Sequence, residues 1–273
     1  MKELIDHISG QLHDLYPEDE ARSLAWWIVE ESTGLTRSQI LSGCKDKKNI
    51  PNLQTIIDRL RLFEPIQYIF GHTLWDGLDL KLTPATLIPR PETAELVEEI
   101  ANSQWSKTDC RVLDIGTGSG CIAIALKKRH PEWQITGIDI SAEAIEVAKE
   151  NALRNNVQVN FHHCDIFSDE IGGFGSFDLV VSNPPYICEK EKVSMRSNVL
   201  NYEPASALFV PDDDPLRFYR RIASLHLSKH LFFENNEAYP AELSTLLNQL
   251  GYTDIRITHD IYGKPRIIEG RMA

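Results

Sequence analysis

Several things are missing from this 273-residue chain, and each absence narrows what it can do. No run approaches the roughly 18 apolar residues of a membrane span, so no segment reads as one. The opening MKELIDHISG carries charges where a signal peptide would have its apolar core, so a cytoplasmic protein is expected. The five cysteines, Cys44, Cys110, Cys121, Cys164 and Cys188, are odd in number, lack any C-x-x-C spacing and have no histidine cluster beside them. That pattern argues against a disulfide frame or a zinc site and for reduced thiols, with no metal. Basic residues are scarce too. Residues 1–80 hold 13 acids against 8 bases and residues 81–273 hold 27 against 20, for a net charge of −12. A protein that gripped nucleic acid through its phosphates would be expected to carry a large basic face. The small cluster CKDKK at 44–48 reads as a solvated turn. A basic protein is therefore the more natural partner.

What is present falls into three parts. Residues 1–63 show apolar positions at helical spacing in LIDHISGQLHDL, ARSLAWWIVEESTGL, LTRSQILSG and NLQTIIDRLRLF, which predicts a small helical bundle. Residues 64–90 change character, and Trp75-Asp76-Gly77 is a turn signal between apolar segments, as in a β-hairpin. From residue 91 helices and strands alternate. The strands RVLDIG, QITGID, VQVNFHHCD, FDLVVSN and HLFFEN are mostly continuous apolar runs, which predicts a largely parallel sheet covered on both faces. DIRITHD and PRIIEG, joined through Gly263, are close enough to pair as an antiparallel edge. The expected division is a helical domain at 1–70, a hairpin linker at 71–90 and an α/β domain at 91–273.

Two stretches carry chemistry. In RVLDIGTGSGCIAIAL, Asp114 and then Gly116, Thr117, Gly118, Ser119 and Gly120 lie between a strand and a helix. Glycines allow a tight turn and close approach of a ligand, and a helix N-terminus favours anionic groups. Asp139 ends the next strand, where a carboxylate can accept from both ribose hydroxyls. A dinucleotide site would place its third glycine after two intervening residues, but position 121 is Cys. The G-x-G-x-G spacing, with Asp114 placed to receive an ammonium, fits S-adenosylmethionine. The second stretch is FDLVVSNPPYI. Two consecutive prolines remove backbone donors at the carboxyl end of a core strand, where open α/β sheets bind ligands. The Asn183 side-chain oxygen and the Pro184 carbonyl then form two acceptors, suited to a planar amide or amine bearing two N–H bonds. Tyr186 can lie against the planar group.

These stretches resemble class I methyltransferases that act on planar nitrogens. The wider match is to the HemK (PrmC) family, through EPIQYIFG, LIPRPET, VLDIGTGSGCIAIAL, VSNPPYI and YEPASAL, which run from 64 to 208. The resemblance implies a Rossmann-like class I fold preceded by a helical substrate-recognition domain. It implies methyl transfer from S-adenosylmethionine to the glutamine amide of the Gly-Gly-Gln motif in class I peptide chain release factors, by a monomer without specific nucleic-acid binding. Gly116 to Gly120 and Asp139 would hold the cofactor. Asp165-Ile166-Phe167 would flank its adenine, and Asn183 would be among the residues binding the cofactor. Asn183, Pro184, Pro185 and Tyr186 would hold the glutamine, with Asn183, Pro184 and Tyr186 as the catalytic set. The chain departs from the family pattern at Ala94, where Glu is usual, at Pro215, where Gly is usual, and at FFENN, which lacks a Gly after the strand-end Glu. Alternatives sharing part of this signature are an adenine N6-methyltransferase on DNA or RNA, and a non-catalytic regulator that binds the cofactor.

Overall fold

The computed structural model describes residues 1–42, 50–103 and 109–272. Cys44 and the CKDKK cluster lie outside the described residues. The chain forms two compact units, Met1–Phe70 with Ser197–Tyr202, and Gly71–Arg196 with Glu203–Ala273.

The first unit is helical, with α1 (Lys2–Gly10), α2 (Glu18–Thr33), α3 (Arg37–Leu41), α4 (Leu53–Arg61) and α5 (Ile66–Phe70). Three acids in the first turn of α2 complement its dipole, and Gly34 ends it in a left-handed conformation. Thr36 and Gln39 form a capping box that starts α3. Ile5, Ile8, Leu12, Ala25, Ile28, Ile57 and Leu60 share one buried core. The segment IQYIF is helical, and the hairpin begins after it.

The second unit opens with that hairpin, β1 (His72–Trp75) and β2 (Leu78–Lys81). Both central residues of its turn, Asp76 and Gly77, have positive φ, as a two-residue turn between twisted strands requires. Then follow α6 (Pro91–Asn102), β3 (Arg111–Ile115), α7 (Cys121–Arg129), β4 (Gln134–Asp139), α8 (Ala142–Arg154), β5 (Asn160–His163) and β6 (Leu179–Ser182). A short parallel pair, β7 (Ile187–Cys188) and β8 (Phe209–Val210), organises the long segment after β6. Between them lies α9 (Ser197–Tyr202), which belongs to the helical unit. The chain closes with α10 (Arg217–Ser224), β9 (His230–Glu234), α11 (Pro240–Gln249), β10 (Tyr252–His259) and β11 (Pro265–Met272). One asparagine in α8 and one just beyond its C-terminus dock the hairpin. Asn151 and Asn155 each bridge the N–H and C=O of a β2 residue, Lys81 and Asp79 respectively.

The seven-stranded sheet has the order β10-β11-β9-β6-β3-β4-β5. β9, β6, β3, β4 and β5 are parallel, and β11 runs antiparallel to both β9 and β10, as the closing pair predicts. One face packs Leu96, Val97, Ile122 and Leu126 of α6 and α7. The other packs Tyr219, Ile222, Leu243 and Leu247 of α10 and α11. The strand order reverses between β3 and β6, so a crevice opens beyond their carboxyl ends. The register aligns Ile115 with Ser182 and Ser182 with Phe233. The residues immediately after those positions, Gly116, Asn183 and Glu234, therefore emerge along one edge.

Candidate active site

The glycine loop leaves β3 with Gly116 and Gly118 at positive φ, and open space lies where a Cβ would stand on either. Gly118 N donates to Asp139 Oδ2 at 2.9 Å, and Ser141 N donates to Asp139 Oδ1 at 2.9 Å. The half-buried carboxylate at the end of β4 is thus held by backbone on both oxygens, with acceptor capacity left over. The side chains of the loop turn inward. Thr117 and Ser119 are buried, and the Thr117 hydroxyl donates to Asp114 Oδ2 at 2.6 Å. Gly120 also faces the interior, where an added Cβ would meet Ala148, Ile124 and Phe161 at 3.1 Å.

Asp114 lies beneath this loop, fully buried, not at its rim where an ammonium could reach it directly. Strand β3 is central to the sheet, and its last residues are covered by the loop itself. Burial pushes the Asp114 carboxyl up to about 7, against the pull of the Thr117 hydroxyl and the Ala123 amide. Its Oδ1 and the Ser119 Oγ have no hydrogen-bond partner of normal geometry among the described residues.

Beyond β5, Asp165 Oδ1 accepts from Phe167 N at 2.8 Å and turns the backbone. Ile166 is buried, while Phe167 remains 39% exposed, with the Arg217 guanidinium 4.7 Å from its ring centre. Arg221 holds the carbonyls of Ile166 and Ser168. Asp139 and this segment follow adjacent parallel strands, so they border one side of the crevice. Bare glycine backbone over open space, a carboxylate with spare acceptor capacity and a partly exposed aromatic fit a nucleoside. With the Thr117 and Ser119 side chains buried, what the loop presents to the open side is backbone.

Asn183 follows Ser182, whose hydroxyl ties β6 to Ile115 O at 2.6 Å. The Asn183 Nδ2 donates to Thr93 Oγ1 at 3.2 Å and to Glu234 Oε2 at 3.0 Å. Thr93 donates to Glu234 Oε2 at 2.7 Å, and Tyr186 OH donates to Glu234 Oε1 at 3.1 Å. Among the described residues no hydrogen bond reaches Asn183 Oδ1 or the Pro184 carbonyl. Pro184 is buried and Pro185 half-buried. Glu234 is 1% exposed, and burial raises its carboxyl above the ordinary glutamate range despite hydrogen bonds from Thr93 and Tyr186 and the nearby charge of Arg266.

Sequence reasoning missed Thr93 and Glu234. The available signal was the acid ending the apolar strand HLFFE, next to β6 in the sheet. Thr93 sits in LIPRPET, directly before Ala94, which itself packs against the core. The same segment supplies Arg90, whose Nη2 meets the buried Glu203 at 2.7 Å, while Glu203 also accepts from Ile88 N. LIPRPET and YEPASAL are therefore two halves of one contact. In FFENN, Asn236 donates to Tyr186 O at 3.0 Å and so ties the end of β9 to the turn after β6. His162 and His163 are both exposed, and the His163 ring meets Ile140 O of the neighbouring loop at 2.9 Å.

The family described as PrmC N-terminal domain matches residues 3–71, and that described as methyltransferase small domain matches residues 92–203. A release factor glutamine methyltransferase of Bacteroides thetaiotaomicron is 43% identical over 98% of this chain and 99% of its own. This chain belongs to the release factor glutamine methyltransferase family. A second member, from Lactococcus lactis, is 35% identical over 97% of both chains. Among solved structures, the hMettl16 catalytic domain in complex with a MAT2A 3'UTR hairpin is 20% identical with a TM-score of 0.56, covering 72% of this chain and 76% of that one. That likeness shows the class I methyltransferase fold alone. As a family member the chain is an S-adenosylmethionine-dependent methyltransferase. None of the helices among the described residues is long and apolar enough to cross a membrane.

Proposed function

We propose that this chain methylates the side-chain amide nitrogen of the glutamine in the Gly-Gly-Gln motif of peptide chain release factors, and so modulates translation termination. The observation that carries this reading is the pair of open acceptors, Asn183 Oδ1 and the Pro184 carbonyl, at the carboxyl end of β6 beside the glycine loop. The names of its full-length relatives supply the protein substrate. The helical unit, matched by the PrmC N-terminal family, contributes to recognition of that protein.

S-adenosylmethionine, when bound, supplies a methyl group already activated on a sulfonium. Everything else falls to the chain's own residues. Asp139 would accept from the ribose hydroxyls, the backbone of Gly116 to Gly120 would receive the amino-acid end, and Asp165, Ile166 and Phe167 would border the adenine. Asp114 acts from beneath, by holding Thr117 and hence the loop. The difficult partner is the amide nitrogen, whose lone pair is delocalised. Asn183 Oδ1 and Pro184 O take its two N–H bonds, turn the nitrogen toward the methyl and stabilise the positive charge that grows on it. Tyr186, held by Glu234, forms a wall for the planar group. One N–H proton then leaves as the nitrogen returns to neutrality. A glutamate offers no N–H to either acceptor and is rejected.

The test is to incubate the chain with methyl-labelled S-adenosylmethionine and one of three targets. These are a release factor, the same factor with Glu in place of the motif glutamine, and a DNA or RNA duplex. Label on the first alone is expected. Label on the nucleic acid, or on the Glu variant at the same rate, would overturn the reading.

A further inference from the structure

An asparagine side chain has two ends of nearly the same shape, and only one can accept from a substrate N–H. If Asn183 turned by half a rotation it would present its NH2 group to the substrate amide, donor against donor. We propose that Glu234, acting with Thr93, is the positioning residue that keeps the Asn183 oxygen facing the substrate. The proposal deepens the reading given above and rests on it, since it assumes Asn183 grips the amide.

The polarity of Asn183 follows from a count of protons. Thr93 has one hydroxyl hydrogen, and it is committed to Glu234 Oε2 at 2.7 Å. Thr93 Oγ1 can therefore only accept from Asn183. An ionised Glu234 has no hydrogen to give, so it too can only accept. Two acceptors, at 3.2 and 3.0 Å, face one end of Asn183, and an NH2 group has two hydrogens. The oxygen is left on the opposite side. Tyr186 OH donates to the other carboxylate oxygen at 3.1 Å, which reinforces the same polarity. Were Glu234 protonated on Oε2 it would become a donor, which opposes the Asn183 NH2 group and favours the turned side chain, whose oxygen could accept from it. The arrangement thus holds only while this buried carboxyl is charged.

Several groups face Glu234. They are Thr93 and Glu92 from α6, Tyr186 from the turn after β6, Arg266 from β11, Tyr219 from α10 and Cys121 from α7. Arg266 favours the charged form, and its own charge is shared with Asp260 at 3.3 Å. Burial opposes ionisation and raises the carboxyl above the usual glutamate range. The sign follows. The charged, active form is populated above the Glu234 pKa and lost as pH falls through it, so kcat should show an acid limb that belongs to this residue.

The experiment compares the wild type with Glu234→Gln, Thr93→Val and Thr93→Ser at saturating cofactor and release factor. Glu234→Gln should lower kcat about 10- to 100-fold, the scale of a misoriented reacting group, with KM for the cofactor unchanged and the acid limb gone. Thr93→Val should lower kcat less, and Thr93→Ser should restore it. A second readout needs no activity. In 15N-labelled protein the Asn183 side-chain NH2 signal, assigned by its absence in Asn183→Ala, should shift with pH in the wild type and not in Glu234→Gln. Wild-type kcat and an unaltered pH profile in Glu234→Gln would overturn the proposal. If that variant does not fold, equal rates in Thr93→Val and Thr93→Ser would overturn it. If the wild type methylates no release factor, the functional reading fails. The NH2 signal then still decides the positioning role, which falls if that signal ignores pH.

Discussion

Two turns leave the same edge of the sheet, one after β3 and one after β6, and they prepare for their ligands by opposite means. The turn after β3 is stripped of side chains on its open face. Gly116 and Gly118 offer only backbone, and Thr117 and Ser119 point away into the protein. The turn after β6 presents a side chain, Asn183, and surrounds its far end with two others from distant parts of the chain. A large, invariant cofactor can be held by shape and backbone. An amide that must be told from a carboxylate needs acceptors of fixed polarity, and fixing a rotatable side chain takes partners.

The largest effect should come from the turn after β6. Asn183→Ala removes one of the two acceptors and should lower kcat by roughly 10²–10³-fold, the scale of losing one preorganised hydrogen-bonding group. Cofactor affinity should hold, because the other turn carries it. Single-turnover kinetics with both ligands saturating separates the two. A wild-type rate would make Asn183 a loop-shaping residue. Asn183→Asp should be no milder, since it would set a second carboxyl against the buried Glu234, and like charges that close cannot both ionise.

The contrast also explains what could be read in advance. The cofactor turn is local. Strand, glycines, helix and the acid ending the next strand occupy 111 to 139, and spacing alone conveys them. The parallel sheet and its antiparallel edge were legible for the same reason, through apolar runs in HLFFEN and the short link at Gly263. The partners of Asn183 were not. Thr93 and Glu234 lie 90 and 51 residues away, and only the strand order brings β9 beside β6. LIPRPET and YEPASAL were visible as stretches, but not that Arg90 of one binds Glu203 of the other across 113 residues. Asp114 shows the reverse error. A residue just before a binding loop looks exposed to the ligand in sequence, yet the loop it precedes covers it.

Asp114 supplies the second prediction. Its carboxyl stands at about 7 in the folded chain, well above an unfolded aspartate. The protonated form is therefore the one the fold prefers. Its contribution to stability is intact at acid pH and is lost as pH rises through 7, by up to roughly 4 kcal/mol for a gap of about three units. Asp114→Asn mimics the protonated form. Urea unfolding between pH 5 and pH 8 should show the wild type losing stability relative to Asp114→Asn as pH rises. Parallel curves would mean that this carboxyl titrates normally and that the underside of the loop is wetter than its burial implies.

Two glycines of one loop sharpen the comparison further. Gly120→Ala adds a Cβ against Ala148, Ile124 and Phe161 at a position with φ of 81°. Overpacking of about 1–3 kcal/mol is expected on top of about 1 kcal/mol of backbone strain. Gly118→Ala meets nothing within 4 Å and carries only the strain at φ of 55°. Its cost should instead appear in cofactor affinity, because the new methyl stands on the open face. Denaturation midpoints should rank Gly120→Ala below Gly118→Ala, and calorimetric affinities of the folded variants should rank them the other way. The same order in both measurements would erase the distinction between an inward and an outward glycine.

The smallest effect, and the one that tests whether the cofactor turn is truly all backbone, concerns Asp139. Its two oxygens accept from Gly118 N and Ser141 N, so it shapes the loop as well as offering acceptors to the ribose hydroxyls. Asp139→Ala should weaken cofactor binding by about 1.5–3 kcal/mol, the worth of lost charge-assisted hydrogen bonds. Asp139→Asn is the sharper variant. It keeps the shape, but its NH2 group must face either the Gly118 or the Ser141 amide, donor against donor, whichever way it turns. It should therefore lose as much affinity as the alanine variant, although it removes fewer atoms. Affinity that falls in Asp139→Ala and survives in Asp139→Asn would mean that bulk, not polarity, is what the loop requires at 139. Affinity unchanged in both would leave the glycine backbone as the whole of the nucleoside grip, and the contrast between the two turns would be greater than drawn here.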